Sequence, residues 1–342
     1  SVGSGIIVDM SRYMNKILEF NKEENWIMVE PGVVLAELNL FLAKHGLQFG
    51  PETSTANRCV IGGMLGNNSC GLHSLIYGSV REHILEVDAV LSDGSETTFK
   101  ALTKEEFHHK LNGNPNPLEK AIYTNINNIL SNPDNQKEIR EKFPEPKLTR
   151  RNMGYAIDEL LNSEIFTENG TPFNFCKLLA GSEGTLAFSH RIKLNVIPLP
   201  PKHKGLVCAH FKTLEESLLG NLVALKHNPS AIELMDDKVM DAAKQNIEQN
   251  KSRFFVKGEP GAILMIEFAF ETEEELMKKA EELENDFRKA NLGYHFPLVT
   301  GADKIKRVWG LRTAGLGLLA NIPGDRKGVP GIEDTAVYPE YL

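Results

Sequence analysis

The chain lacks any run of about 18 apolar residues, so no segment of it reads as a bilayer-spanning helix. It also lacks C-x-x-C pairs. Cys59, Cys70, Cys176 and Cys208 stand apart, which argues against a zinc ribbon or a cysteine-ligated iron–sulfur cluster within the chain. So few thiols in 342 residues suit a reducing, cytoplasmic compartment, and the Asn-x-Ser/Thr matches at Asn67 and Asn169 are then chance. Basic residues are in deficit: 38 Lys and Arg against 46 Asp and Glu leave a net charge of −8. Such a balance argues against a nucleic-acid partner, whose phosphates want a basic surface. Residues 1–5 hold no initiator Met, basic region or apolar signal core. No G-x-x-x-x-G-K-S/T, H-E-x-x-H or G-x-S-x-G occurs, and the scattered histidines suggest no metal set. What remains is a globular composition, 41% apolar and 25% charged, in a chain long enough for two domains.

Periodicity divides the chain. Residues 6–9 and 26–30 read as short strands. Val34, Leu35, Leu38, Phe41 and Leu42 share one face of a helix over residues 34–45, closed by Gly46. Residues 84–91 and 97–99 flank Asp93-Gly94, a strong hairpin signal. Residues 101–147 read as a polar helical insertion on the surface, interrupted by prolines. Pro198, Pro200 and Pro201 mark the expected domain boundary, because they are stiff and cannot join a sheet. Beyond it, strands at residues 205–211, 231–235, 262–270 and 294–299 interleave with helices at 213–227, 237–248, 272–290 and 302–319, in a split β-α-β pattern. Thr272 and Glu275 form a capping box.

Residues 50–78 differ in kind: rich in Gly, Asn, Ser and Thr, and poor in charge. Such a stretch is either a linker or a ligand-cradling loop. Val60, Ile61, Met64, Leu65 and Leu72, which a linker would not need, favour the loop. Gly62, Gly63 and Gly66 allow close backbone approach, and Asn67, Asn68 and Ser69 supply neutral donors and acceptors. Gly181-Ser182-Glu183-Gly184-Thr185 is a second such loop, although spacing alone does not separate either from ordinary turns. Gly315-Leu316-Gly317-Leu318-Leu319-Ala320 matches a dinucleotide fingerprint, but it lies late in a helical pattern with no strand before it, so it reads as tight packing.

Six motifs in order carry a resemblance. Gly50-Pro51-Glu52-Thr53-Ser54, Val60-Ile61-Gly62-Gly63-Met64, Asn67-Asn68-Ser69-Cys70-Gly71, Tyr77-Gly78-Ser79, Arg151-Asn152-Met153-Gly154-Tyr155 and Gly181-Ser182-Glu183-Gly184-Thr185-Leu186 resemble the FAD-binding domain of the vanillyl-alcohol-oxidase type. Val308-Trp309-Gly310-Leu311-Arg312 and Glu333-Asp334-Thr335-Ala336-Val337 extend the match into the second domain. The branch is similar to FAD-linked D-lactate and D-2-hydroxyglutarate dehydrogenases and the glycolate oxidase flavin subunit, and most of all to bacterial proteins that fuse the flavoprotein to an iron–sulfur half.

The resemblance implies an α+β fold: an FAD-binding domain of two α+β subdomains over residues 1–198, then a ferredoxin-like α+β cap over residues 203–342. It implies FAD as cofactor, lined by Pro51, Thr53, Ser54, Gly62, Gly63, Asn67, Ser69, Gly71 and Tyr77, with Glu183 and Gly184 near the adenosine end. Arg312 matches the family arginine that grips a substrate carboxylate, a role suited to a planar, permanently charged fork; a plain helix-surface arginine is the alternative. The implied reaction is hydride removal from a D-2-hydroxy acid to flavin N5, with an iron–sulfur domain or subunit, or a quinone, as acceptor. A homodimer and peripheral attachment to the inner membrane are further expectations. The family's pyrophosphate loop precedes residue 6 and its base and metal histidines follow residue 342, so truncation at both ends is expected and no general base is assigned. Another alcohol or lactone as substrate, or a non-catalytic FAD- or partner-binding module, are the competing readings. His73 is expected to be structural, and Cys70 is not expected to bind flavin covalently.

Overall fold

The computed structural model describes residues 7–145, 147, 148, 150, 151, 154–321, 324, 325 and 335–342, the side chain of Leu316 apart. The chain forms two compact units, Ser1–Leu199 and Pro200–Leu342.

In the first unit the strands are β1 (Ile17–Asn21), β2 (Trp26–Val29), β3 (Leu47–Gln48), β4 (Ile84–Val90), β5 (Glu96–Lys100), β6 (Phe188–Asn195) and β7 (Ile197–Pro198). Five of them make an antiparallel sheet in the order β1-β2-β6-β4-β5, while β3 pairs with β7, so Pro198 does join a ladder, opposite Leu47 in a two-stranded pair, against expectation. Helix Leu35–Ala43 buries Leu35, Leu38 and Leu42, the expected face, and Gly46 leaves it at φ 79°. The Asp93-Gly94 turn joins β4 to β5 as expected.

A second expectation fails here. Residues 7–9 form no strand: Ile7 and Val8 are 64% and 58% exposed. Asp9 instead accepts from the Ser11 amide at 2.9 Å and hydroxyl at 2.6 Å, a local turn that competes with strand pairing. Residue 6 lies outside the described residues. Residues 104–142 form helices, mostly exposed as expected, but the helices also turn an apolar face inward. The interruptions fall at the prolines as expected, and Pro117 and Pro133 open the helices Pro117–Ser131 and Pro133–Lys142, since a first-turn proline lacks only an amide that would go unpaired. Helix Lys104–Asn112 buries Phe107, which meets Phe173 at 4.7 Å between ring centroids, and Tyr123 meets Phe175 at 4.8 Å. One face of these helices thus packs on the core, through Phe107, Tyr123, Leu130 and Ile139.

The second unit contains β8 (His203–Phe211), β9 (Ala231–Asp236), β10 (Ala262–Phe270) and β11 (Leu298–Thr300). All pair antiparallel in the order β11-β8-β10-β9. Numbered within the unit this is 4-1-3-2, the ferredoxin-like order. Helices Leu214–Leu225 and Glu273–Lys289 cover one face, over Val207, Phe211, Ile266 and Phe268. Helices Asp237–Gln245 and Ala302–Ala320 cover the other, over Leu206, Cys208, Ile263 and Met265. The last strand is shorter than its apolar run suggests. His295 makes a single bridge to His210, and regular pairing begins only at Leu298. Gly315 lies inside helix Ala302–Ala320, so the fingerprint match has no strand before it and is not a nucleotide turn.

Candidate functional site

Residues 50–79 fold back on a helix that the sequence pattern did not single out, Ile61–Asn67. Ile61, Met64 and Leu65 anchor it in the core, which turns Gly63 and Asn67 outward. Asn68 ends the helix in the left-handed region (φ 50°) and is fully buried. Its Oδ1 accepts from the Ser79 hydroxyl at 2.9 Å and the Arg81 amide at 2.8 Å, pinning both ends of the loop together. Asn68 Nδ2 is buried with no partner among the described residues. Asn67 Nδ2 donates to Ser69 Oγ at 3.0 Å.

The second loop docks on this helix. Gly181 and Glu183 amides donate to the carbonyls of Leu65 (3.0 Å) and Gly66 (2.8 Å). A Cβ on Gly66 would meet Glu183 Cα at 3.6 Å. Gly181, Glu183 and Gly184 all have positive φ, so the loop turns sharply and leaves the Glu183 side chain exposed. Arg81 locks the junction: only 2% exposed, it donates to the carbonyls of Lys177 (2.9 Å), Ala180 (2.7 Å) and Arg151 (3.2 Å). Burial pushes its pKa below the ordinary guanidinium value. Arg81 was not legible as a site residue, because its partners lie across the fold; Asn68 was expected among the loop's donors and acceptors, but its Oδ1 closes the loop on itself.

The expected cofactor residues therefore gather on one connected framework but serve different ends. Gly71 is fixed by packing, since a Cβ there would collide with the Glu52 carbonyl, and Glu52 also pairs with His73. Gly62 packs on Pro31, whose Cβ would be 2.6 Å from an added Cβ. Tyr77 backs Gly50, and Pro51 and Ser69 are buried. Thr53 Oγ1 lies 3.1 Å from Thr55 Oγ1 and 3.3 Å from Cys59 Sγ. Ser54, Gly63, Asn67, Glu183 and Gly184 are exposed. A Cβ on Gly63 would meet nothing nearer than 3.8 Å, and one on Gly184 nothing within 4 Å. Open glycines, exposed neutral hydrogen-bonding groups and an unpartnered buried amide fit a flavin dinucleotide, whose edges need donors and acceptors rather than counter-charges.

In the second unit, Arg312 does not stand alone. Its Nε and Nη2 donate to Glu233 Oε2 at 3.1 and 2.7 Å. In motif Arg151–Tyr155, residues 152 and 153 lie outside the described residues, as do residues 333 and 334 of the last motif.

An antiparallel α+β unit carrying a glycine-rich cradle, followed by a 4-1-3-2 sheet, agrees with the vanillyl-alcohol-oxidase-type fold of FAD-linked oxidases. Residues 1–100 match the FAD binding domain and residues 200–342 the C-terminal domain of FAD linked oxidases; the chain belongs to this FAD-linked oxidase family, and its cofactor is FAD. Across its full length it is 33% identical to the D-2-hydroxyglutarate dehydrogenases of Pantoea ananatis and Pseudomonas putida, and 32% to that of Escherichia coli. It spans about a third of those relatives, 33% of each. A D-lactate dehydrogenase of Anaerostipes hadrus is 24% identical over 81% of the chain and 45% of that protein. Among solved structures, alkyldihydroxyacetonephosphate synthase matches 92% of the chain and 46% of its own, with a TM-score of 0.54 at 16% identity, a likeness of fold alone. Among the described residues no helix is long and apolar enough to cross a membrane.

Proposed function

We propose that this chain is the FAD-binding and cap portion of a dehydrogenase that oxidises a D-2-hydroxy acid, with D-2-hydroxyglutarate the first candidate. The observation that carries the reading is the match over the whole chain to D-2-hydroxyglutarate dehydrogenases. The FAD-binding domain would cover residues 1–198 and the substrate cap residues 203–342. When bound, FAD supplies the hydride acceptor. Ser54, Gly63, Asn67, Glu183 and Gly184 would contact it directly, and Pro51, Thr53, Gly62, Ser69, Gly71 and Tyr77 would shape the wall behind them. Arg312 would orient the substrate by its carboxylate, because a guanidinium offers paired in-plane donors and a neutral alcohol or lactone has no use for them. An iron–sulfur or quinone acceptor, a homodimer and a cytoplasmic location complete the proposal.

The test is direct. The FAD-loaded protein is mixed under anaerobic conditions with D-2-hydroxyglutarate, D-lactate or glycolate, and the visible flavin band is followed. Bleaching by a D-acid and not by its L-isomer is expected. A stable flavin band with all three acids would instead favour a module that binds FAD without turnover.

A further inference from the structure

On the sheet face beneath helix Ala302–Ala320, two carboxylates interrupt the apolar rows. β10 alternates Ile263, Met265 and Glu267, and β9 places Glu233 before Met235. Glu267 is 2% exposed, accepts from Trp309 Nε1 and Ser230 Oγ, each at 3.2 Å, and has Lys204 Nζ at 3.9 Å. Glu233 takes Arg312 Nε and Nη2 on a single oxygen. Trp309 and Arg312 are three residues apart on one helix, so both sheet carboxylates grip the same helical face.

The pattern of donors matters. A guanidinium has five N–H groups in one plane. Glu233 engages the Nε–Nη2 edge, and no other partner of Arg312 occurs among the described residues. We propose that Glu233 is a positioning residue: it fixes the plane of Arg312 from behind and leaves the Nη1–Nη2 edge to take a substrate carboxylate. The proposal rests on the reading of Arg312 as the carboxylate ligand. A long side chain held beforehand in its binding geometry loses less freedom when the ligand arrives, so Glu233 acts on affinity rather than on the chemical step.

Oxalate, a carboxylate that cannot be oxidised by hydride removal, is the probe. Its binding to the FAD-loaded protein is measured by calorimetry, beside kcat and KM for D-2-hydroxyglutarate. R312A is expected to abolish oxalate binding. E233A is expected to weaken it and to raise KM by about 10-fold, the scale of one charge-assisted hydrogen bond, with kcat held within about twofold. E233Q keeps an acceptor oxygen in place and is expected to recover most of the affinity, while E233D draws the acceptor back and should not. If E233A fails to fold, the contrast between E233Q and E233D still decides. Wild-type oxalate affinity in E233A or E233D, with R312A inactive in binding, would overturn the role of Glu233 and leave that of Arg312. Unchanged binding in R312A would overturn both.

Discussion

Gly63 and Gly71 answer to opposite constraints, although both were expected to line the cofactor. A Cβ on Gly71 would enter the Glu52 carbonyl, so G71A must displace backbone and cost several kcal/mol, or block folding. Gly63 lies exposed within a helix, with 3.8 Å of clearance. G63A should therefore leave the apo fold intact and even favour the helix by about 1 kcal/mol. If Gly63 lies against FAD, the same methyl crowds the dinucleotide. We expect G63A to melt at or above the wild-type temperature without FAD, yet to bind FAD at least ~10-fold more weakly, the scale of 1.4 kcal/mol. Thermal melting with and without FAD, and a flavin fluorescence titration, check both signs. Unchanged FAD affinity would remove Gly63 from the site.

Elements were legible in the sequence where their signals are local. Thr272 caps its helix with Glu275, and Gly46 leaves helix Leu35–Ala43 in the left-handed region, as the residues announce. Elements were misread where tertiary context decides. The polar faces of residues 104–142 hide Phe107, Tyr123 and Leu130, which only the rest of the fold turns inward. β8 shows the same dependence in its chemistry. Buried His210 shares a hydrogen bond between Nδ1 and the Cys208 carbonyl at 2.8 Å, and its Nε2 accepts from the Lys257 amide at 3.2 Å, which assigns the proton to Nδ1. Burial, above all, pushes its pKa down to about 4. A group with a depressed folded pKa contributes stability above its unfolded value, near 6.5, and loses it as pH falls through the folded value. The second unit should thus lose about 3 kcal/mol between roughly pH 6.5 and 4 from this residue alone. Urea denaturation followed across that window would show the loss. In H210N the acid limb should flatten, from a lower stability at pH 8; an unaltered limb would assign the acid sensitivity elsewhere.

Across the whole molecule, the order of six motifs carried the family, while no single loop could be told from a turn. What the sequence left hidden is how the loops are joined: Asn68 accepts from the Ser79 hydroxyl and the Arg81 amide, and Arg81 donates to carbonyls far away in the chain. That division suggests a measurement made on the whole chain. Each unit encloses one inert thiol: Cys176 in the first and Cys208 in the second are fully buried, and burial pushes both pKa values far up. Neither thiol should react with iodoacetamide at pH 8 until its own unit opens. FAD bound to the first unit adds stability by mass action, about 2.7 kcal/mol at 100 times its Kd. With a urea dependence of about 2 kcal/mol per molar, the midpoint for Cys176 labelling should rise by about 1 M. Pulsed alkylation along a urea gradient, read by peptide mass spectrometry, follows both thiols in one sample. Cys208 reports the second unit independently. A Cys176 midpoint that does not move with saturating FAD would mean that the cradle built from residues 50–79 and 181–185 is not where FAD binds.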